Sequence, residues 1–144
     1  MADTNLKQLF EIYLKYDKEI DPVSMDGKVG KYIGSGMGKV EGQINGKVHW
    51  TLFEAQSPLL CASNLFGTIT TDDDVEIKFD TMGFFRRPDN GSHLWQNSSG
   101  VNFETEDERY EWLTEVLGVW EGELDMKAYE HRYQVYARAN GDKV

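Results

Sequence analysis

Val75-Glu76-Ile77-Lys78-Phe79-Asp80 alternates apolar and charged side chains one by one. A period of two places one set of side chains on each face of a β-strand. Phe10-Glu11-Ile12-Tyr13-Leu14-Lys15-Tyr16 repeats the pattern, with Phe10, Ile12, Leu14 and Tyr16 sharing one face. Residues 129–138 repeat it again near the far end. Shorter segments of the same kind cover residues 48–53, 64–71, 75–81, 101–105 and 119–124, and residues 59–62 read as a separate short strand. Turn signals separate them, among them Asn45-Gly46, Asp72-Asp73-Asp74 and Asp89-Asn90-Gly91. So many short strands in one small chain predict an all-β fold, a closed antiparallel β-barrel of the calycin or lipocalin kind.

Three regions qualify that picture. Gly30, Gly34, Gly36, Gly38, Gly42 and Gly46 crowd one stretch, which reads as two strands with glycines at bends or bulges. Residues 83–99 read as a long irregular loop carrying Phe84, Phe85, Arg86, Arg87, His93 and Trp95, and such loops are often functional. Thr105-Glu106-Asp107-Glu108 fits a capping box, and Tyr110, Leu113, Val116 and Leu117 follow at helical spacing. This predicts one short α-helix over residues 106–116.

At 144 residues, 40% of them hydrophobic, the chain suits a single domain over residues 1–144 with a real core. The formal net charge is -10 and there is no basic stripe. Phosphate backbones and anionic bilayers attract clustered Lys and Arg, so neither nucleic acid nor a membrane surface is an expected partner. Cys61 is the sole cysteine, which excludes an internal disulfide and suits a reducing compartment. Met1-Ala2-Asp3-Thr4-Asn5 is polar, unlike a signal peptide, and no run approaches the roughly eighteen apolar residues of a membrane helix. The expected location is the cytoplasm.

Several stretches resemble the domain-of-unknown-function 3237 family of small bacterial and fungal proteins. They are residues 36–46, Val48-His49-Trp50, residues 68–73, and Phe103-Glu104-Thr105 with Tyr110-Glu111-Trp112-Leu113. His49 stands where that family commonly has an acid, and Thr114 where it commonly has Asn. The resemblance implies a closed antiparallel barrel with a helix across one end, similar to calycins. It implies no particular activity.

The chemistry must therefore be read from side chains. His49, His93 and His131 show no H-x-H or H-E-x-x-H spacing, so no metal centre and no cofactor are expected. Gly34-Ser35-Gly36-Met37-Gly38 lacks the G-x-G-x-x-G spacing of a nucleotide loop. Cys61 follows Leu59-Leu60 and reads as a buried thiol. His49 alternates with Thr51 and Phe53, and His131 with Tyr129, Tyr133 and Val135. Both faces of these strands carry aromatics, so alternation leaves open which face is interior. If inward, the imidazoles and phenols would sit in an apolar cavity that shifts their pKa values toward proton transfer.

The candidate catalytic residues are His49, His131, Tyr133 and Glu104. The candidate substrate-binding residues are Trp50, Asp80, Arg86, Arg87, His93, Trp95 and Trp112. The arginines could clamp an oxyanion or form structural ion pairs. Aromatic walls with few polar groups describe a small-molecule pocket. The expected function is binding of a small, mostly apolar organic molecule, aromatic or polyketide-like, in the barrel interior. Any catalysis would be cofactor-free isomerisation, cyclisation, hydration or dehydration. The alternative is a non-catalytic carrier or homo-oligomeric barrel, dimerising through exposed aromatics such as Tyr13.

Overall fold

The computed structural model describes residues 6–17, 23–25, 28–55, 59–89 and 91–138. Its strands are β1 (Leu6–Tyr16), β2 (Val23–Met25), β3 (Lys28–Gly42), β4 (Gly46–Ala55), β5 (Leu60–Thr71), β6 (Glu76–Arg86), β7 (Leu94–Glu104), β8 (Leu117–Asp125) and β9 (Glu130–Arg138). Every neighbouring pair is antiparallel, in the order β1-β9-β8-β7-β6-β5-β4-β3. Pairing of β1 with β3, from Phe10↔Gly42 to Tyr16↔Gly36, closes these eight strands into a barrel. Closure leaves no strand edge unpaired around the ring. The short β2 pairs with the first part of β3, Val23↔Lys31 and Met25↔Lys28, on the edge that β1 takes further along.

Alternation sorts inside from outside. On β7, Trp95, Asn97, Ser99, Val101 and Phe103 are buried while their neighbours are exposed. Ile77, Phe79, Thr81 and Phe85 do the same on β6. On β1 a register shift between Gln8 and Phe10 turns both Leu9 and Phe10 into the core. Leu14, Val48, Leu52, Ile69, Ile77 and Val135 are wholly enclosed, each worth about 1.5–3 kcal/mol relative to exposure.

Large rings inside the barrel lie opposite glycines. Trp50 pairs in register with Gly36 on one side and Gly67 on the other, and Gly67 in turn pairs with Phe79. Tyr133 pairs with Gly122. A Cβ on Gly122 would come within 2.7 Å of the Tyr133 ring. The missing side chain is the space the ring occupies.

The structure corrects three sequence expectations. The glycine-rich stretch up to Gly42 is one 15-residue strand, β3, in which the buried Gly34 and Gly36 make room inside without breaking the ladder, and Gly46 opens β4. Residues 59–71 likewise form mostly one strand, β5. The long loop at 83–99 shrinks to residues 87–93, since β6 runs on to Arg86 and β7 begins at Leu94. Residues 96–99 are all polar and gave no apolar period to read.

A helix does follow β7, but it is a 3-10 helix, Glu108–Glu115, where an α-helix was expected. Tyr110 N donates to Asp107 O at 3.1 Å, an i to i−3 bond. Asp107 caps it, accepting from Arg109 N at 2.9 Å, and Thr105 stands two residues outside, accepting from Asp107 N. Leu113 inserts into the core. Arg109 bridges Asp107 and Asp73, and the Tyr110 hydroxyl donates to Asp73 at 2.9 Å. The Thr71 hydroxyl first, then that of Tyr110, holds the Asp73 carboxyl below its ordinary pKa. The helix is thereby tied to the β5–β6 turn at one end of the barrel. No helix among the described residues is long and apolar enough to cross a membrane.

Candidate functional site

The barrel end remote from the 3-10 helix holds most of the interior polar groups. Tyr16 closes β1, and His131 and Tyr133 open β9. The register Ile12↔Tyr133 and Leu14↔His131 stacks these inward residues beside one another. His131 Nε2 lies 2.9 Å from the Tyr16 hydroxyl. His131 Nδ1 is hydrogen-bonded to the Tyr133 hydroxyl. Around this triad stand Trp50 at 5.3 Å and Phe85 at 6.0 Å between ring centroids. Trp50 also meets Tyr16 edge-on at 4.8 Å, and its indole N–H donates to Met37 O at 3.2 Å.

Exposure grades the three groups: Tyr16 retains 8%, Tyr133 1% and His131 none. Tyr16 is thus the member nearest the outside. Burial pushes the His131 imidazole down to about 3, so the ring is neutral at physiological pH. A neutral imidazole carries one N–H and one lone pair. One ring nitrogen therefore donates to a phenol oxygen while the other accepts from a phenol O–H. The triad is a hydrogen-bonded chain with an amphoteric centre.

A second polar cluster lines the wall formed by β5, β6 and β7. Asn97 donates to Ser63 Oγ at 3.3 Å and to Phe84 O at 3.0 Å. Ser99 Oγ donates to Asn97 Oδ1 at 3.1 Å. Thr81 Oγ1 accepts from Leu65 N at 3.1 Å. No carboxylate, lysine or arginine is among the buried polar residues described, which are Ser63, Thr71, Thr81, Asn97, Ser99 and His131.

The candidates from sequence divide between the two sides of the sheet. His131, Tyr133, Trp50 and Trp95 are interior. His49, Asp80, Glu104 and Arg86 are exposed on the outer face, so the alternation that turns Trp50 inward turns His49 away from His131. His49, Asp80 and Glu104 line an open outer groove of about 1100 Å³ with Thr51, Phe66 and Lys78. Asp80 there accepts from Asn64 Nδ2 at 2.6 Å. Arg87 lies 4.5 Å over the Trp95 ring and donates to Ser92 O, so it braces the β6–β7 turn. His93 is half-buried in that turn, and Trp112 half-buried on the helix against the core. Tyr13 is also partly covered, donating to Glu130 at 2.6 Å beneath Arg132. No cluster of three His, Cys, Asp or Glu side chains able to hold a metal occurs among the described residues.

Sequence reading did not single out Tyr16, Ser63, Asn97, Ser99 or Trp120, all of which are buried in the interior. Tyr16 was legible, since it shares the inward face of Phe10, Ile12 and Leu14. Asn97 and Ser99 sit in Gln96-Asn97-Ser98-Ser99, where every residue is polar and no face is marked.

No protein-family model matches this chain, and no curated protein matches it significantly. Solved structures do. A Clostridium acetobutylicum protein of unknown function is similar over 96% of this chain and 99% of its own, with TM-score 0.84 and 21% identity. An Acinetobacter baumannii protein described as β-barrel-like covers 96% and 98%, with TM-score 0.80 and 17% identity. A Penicillium herquei protein described as an enzyme covers 96% and 97%, with TM-score 0.71 and 17% identity. At these identities the likeness establishes the barrel fold.

Proposed function

We propose that this protein binds a small, mostly apolar organic molecule, aromatic or polyketide-like, inside the barrel at the end away from the 3-10 helix, and moves protons on it without a cofactor. The observation that carries this reading is the neutral His131 imidazole bridging two phenols within a ring of aromatic side chains. The fold of the Penicillium herquei enzyme and the resemblance to the domain-of-unknown-function 3237 family support it.

A histidine of such low basicity is a poor isolated base. As the middle of a chain it has another use. One phenol gives its proton to a substrate oxygen and is reprotonated by the ring. The ring recovers a proton from the other phenol, which then takes the substrate's carbon-bound proton. Made in one concerted movement, these transfers keep the imidazole neutral, and the chain ends with the number of protons it began with and the ring in its other tautomer. Keto–enol isomerisation is the simplest reaction of this type. Arg86 and Glu104, on the outer face, take no part.

The test is exchange in deuterium oxide with enolisable aryl ketones, followed by proton NMR. Exchange faster than in buffer is expected, with Tyr16→Phe slowing it about 100-fold or more. No binding by calorimetry and no acceleration across the panel would sink the reading.

A second reading has one specific observation behind it. Met82 (74% exposed), Phe84 (55%) and Leu60 (52%) present an apolar outer patch on β5 and β6. This patch suits a homo-oligomeric barrel better than Tyr13 does, since the Tyr13 hydroxyl is already bonded to Glu130. Sedimentation is then expected to give a dimer that Phe84→Lys converts to monomer. A wild-type monomer at high micromolar concentration removes this reading.

A further inference from the structure

Trp120, in the middle of β8, is fully buried. Its ring stacks on Phe79 of β6 at 5.5 Å and 22°, and meets Tyr133 of β9 at 4.9 Å. The indole therefore spans the interior beside the Tyr133 end of the triad. Among the described residues, its Nε1 is the buried side-chain nitrogen or oxygen without a hydrogen-bond partner. An indole nitrogen is a donor only. It cannot escape the cost of an unmade bond by changing tautomer, as histidine can, or by rotating a hydroxyl.

The neighbouring wall is built of small residues. Ser99 pairs in register with Trp120 and with Gly83, and Gly83 pairs with Ser63. Ser63, Gly83 and Ser99 thus stand side by side on β5, β6 and β7, a run of small residues next to the Trp120 ring. The Ser99 and Asn97 polar groups are turned toward one another, which leaves the indole N–H to something else. The described interior carries no charged side chain, so a cation or a permanent anion would be unpaired there.

We propose that the interior selects a neutral aromatic compound bearing a carbonyl or phenolic oxygen, and that this oxygen accepts a hydrogen bond from Trp120 Nε1–H. This rests on the reading of the interior as a small-molecule site. The aromatic body packs among Trp50, Phe79 and Phe85. The oxygen sits by the small wall, where the same N–H stabilises negative charge that develops when the triad removes a proton. Trp120 is then a specificity-determining donor, because a ligand without an acceptor leaves it unpaired.

The experiment compares 2-acetylnaphthalene with 2-ethylnaphthalene, which matches it closely in shape and lacks the acceptor. Wild-type protein is expected to prefer the ketone by at least about tenfold. Trp120→Phe is expected to bring the ratio close to one. In ¹⁵N-labelled wild-type protein the Trp120 indole N–H resonance is expected to shift downfield with the ketone and not with the hydrocarbon. This second readout does not depend on the variant folding. Equal affinities with an unmoved indole resonance would overturn the assignment of Trp120 and leave the interior site standing. Binding of neither probe, and of no other aryl ketone, would overturn both.

Discussion

Between pH 6.5 and pH 4.5 the wild-type barrel is expected to lose about 2–3 kcal/mol of stability through His131 alone, and His131→Gln to lose none of it. The folded-state pKa of His131 is depressed, from 6.5 to about 3, by burial. Above 6.5 the ring is neutral in both folded and unfolded chains, and its contribution is fully present. Below 6.5 the unfolded chain takes up a proton that the folded one refuses, so stability falls by about 1.4 kcal/mol per pH unit until the folded ring also titrates. Asp73, Asp107 and Asp125 have lowered folded pKa values against an ordinary 3.8. Their stabilisation is lost only at more acid pH, which keeps the upper window clear. Glutamine can still donate to one phenol and accept from the other, so the variant isolates titration from hydrogen bonding. Urea midpoints across pH 4.5–7.5 make the comparison. Parallel acid slopes in the two proteins would mean that His131 is not held neutral by the fold, and the neutral relay would go with it.

The barrel was legible because its signal is the plainest one a strand has. Phe10, Ile12, Leu14 and Tyr16 were read as one face, and they are one buried face. Trp50 was likewise separated from His49, and His131 was grouped with Tyr133 and Val135. What alternation could not supply was the sign of each face, because His49 and Phe66 on the outside look no more polar than His131 and Ser99 on the inside. Only cross-strand register settles that. Gly36 and Gly67 flank Trp50, so the Trp50 side must be interior, where a large ring needs a vacant neighbour. The helix was located correctly and mistyped because its capping residues are compatible with either geometry. Its short span is what 3-10 helices commonly have. The placement of the candidate residues was half legible for the same reason as the faces. Side chains one residue apart on a strand were grouped together, and a strand sends them to opposite sides of the sheet.

Gly36→Val is expected to cost on the order of 3 kcal/mol or more, at the upper end of what overpacking does and a large share of the 5–15 kcal/mol that holds such a domain together. Gly36 stands where β1, β3 and β4 meet, paired with Tyr16 across the closing seam and with Trp50 on the other side. A Cβ there would overlap the Lys15 carbonyl oxygen and come within 3.0 Å of Trp50 Cζ2. The first obstacle is backbone and cannot rotate away. The second is a ring already held between Tyr16 and His131. Relief therefore requires the β1–β3 seam to open, and that seam is what makes the sheet a barrel. Gly100 is the control, since a Cβ on it meets nothing within 4 Å, and Gly100→Ala should change stability by no more than about 0.5 kcal/mol. Urea unfolding of the two variants compares the sites directly. Equal small losses would show that the seam yields easily and that Trp50 does not depend on the glycine beside it. A large loss confined to Gly36 would make one missing side chain responsible both for closing the barrel and for seating Trp50 against the His131 chain.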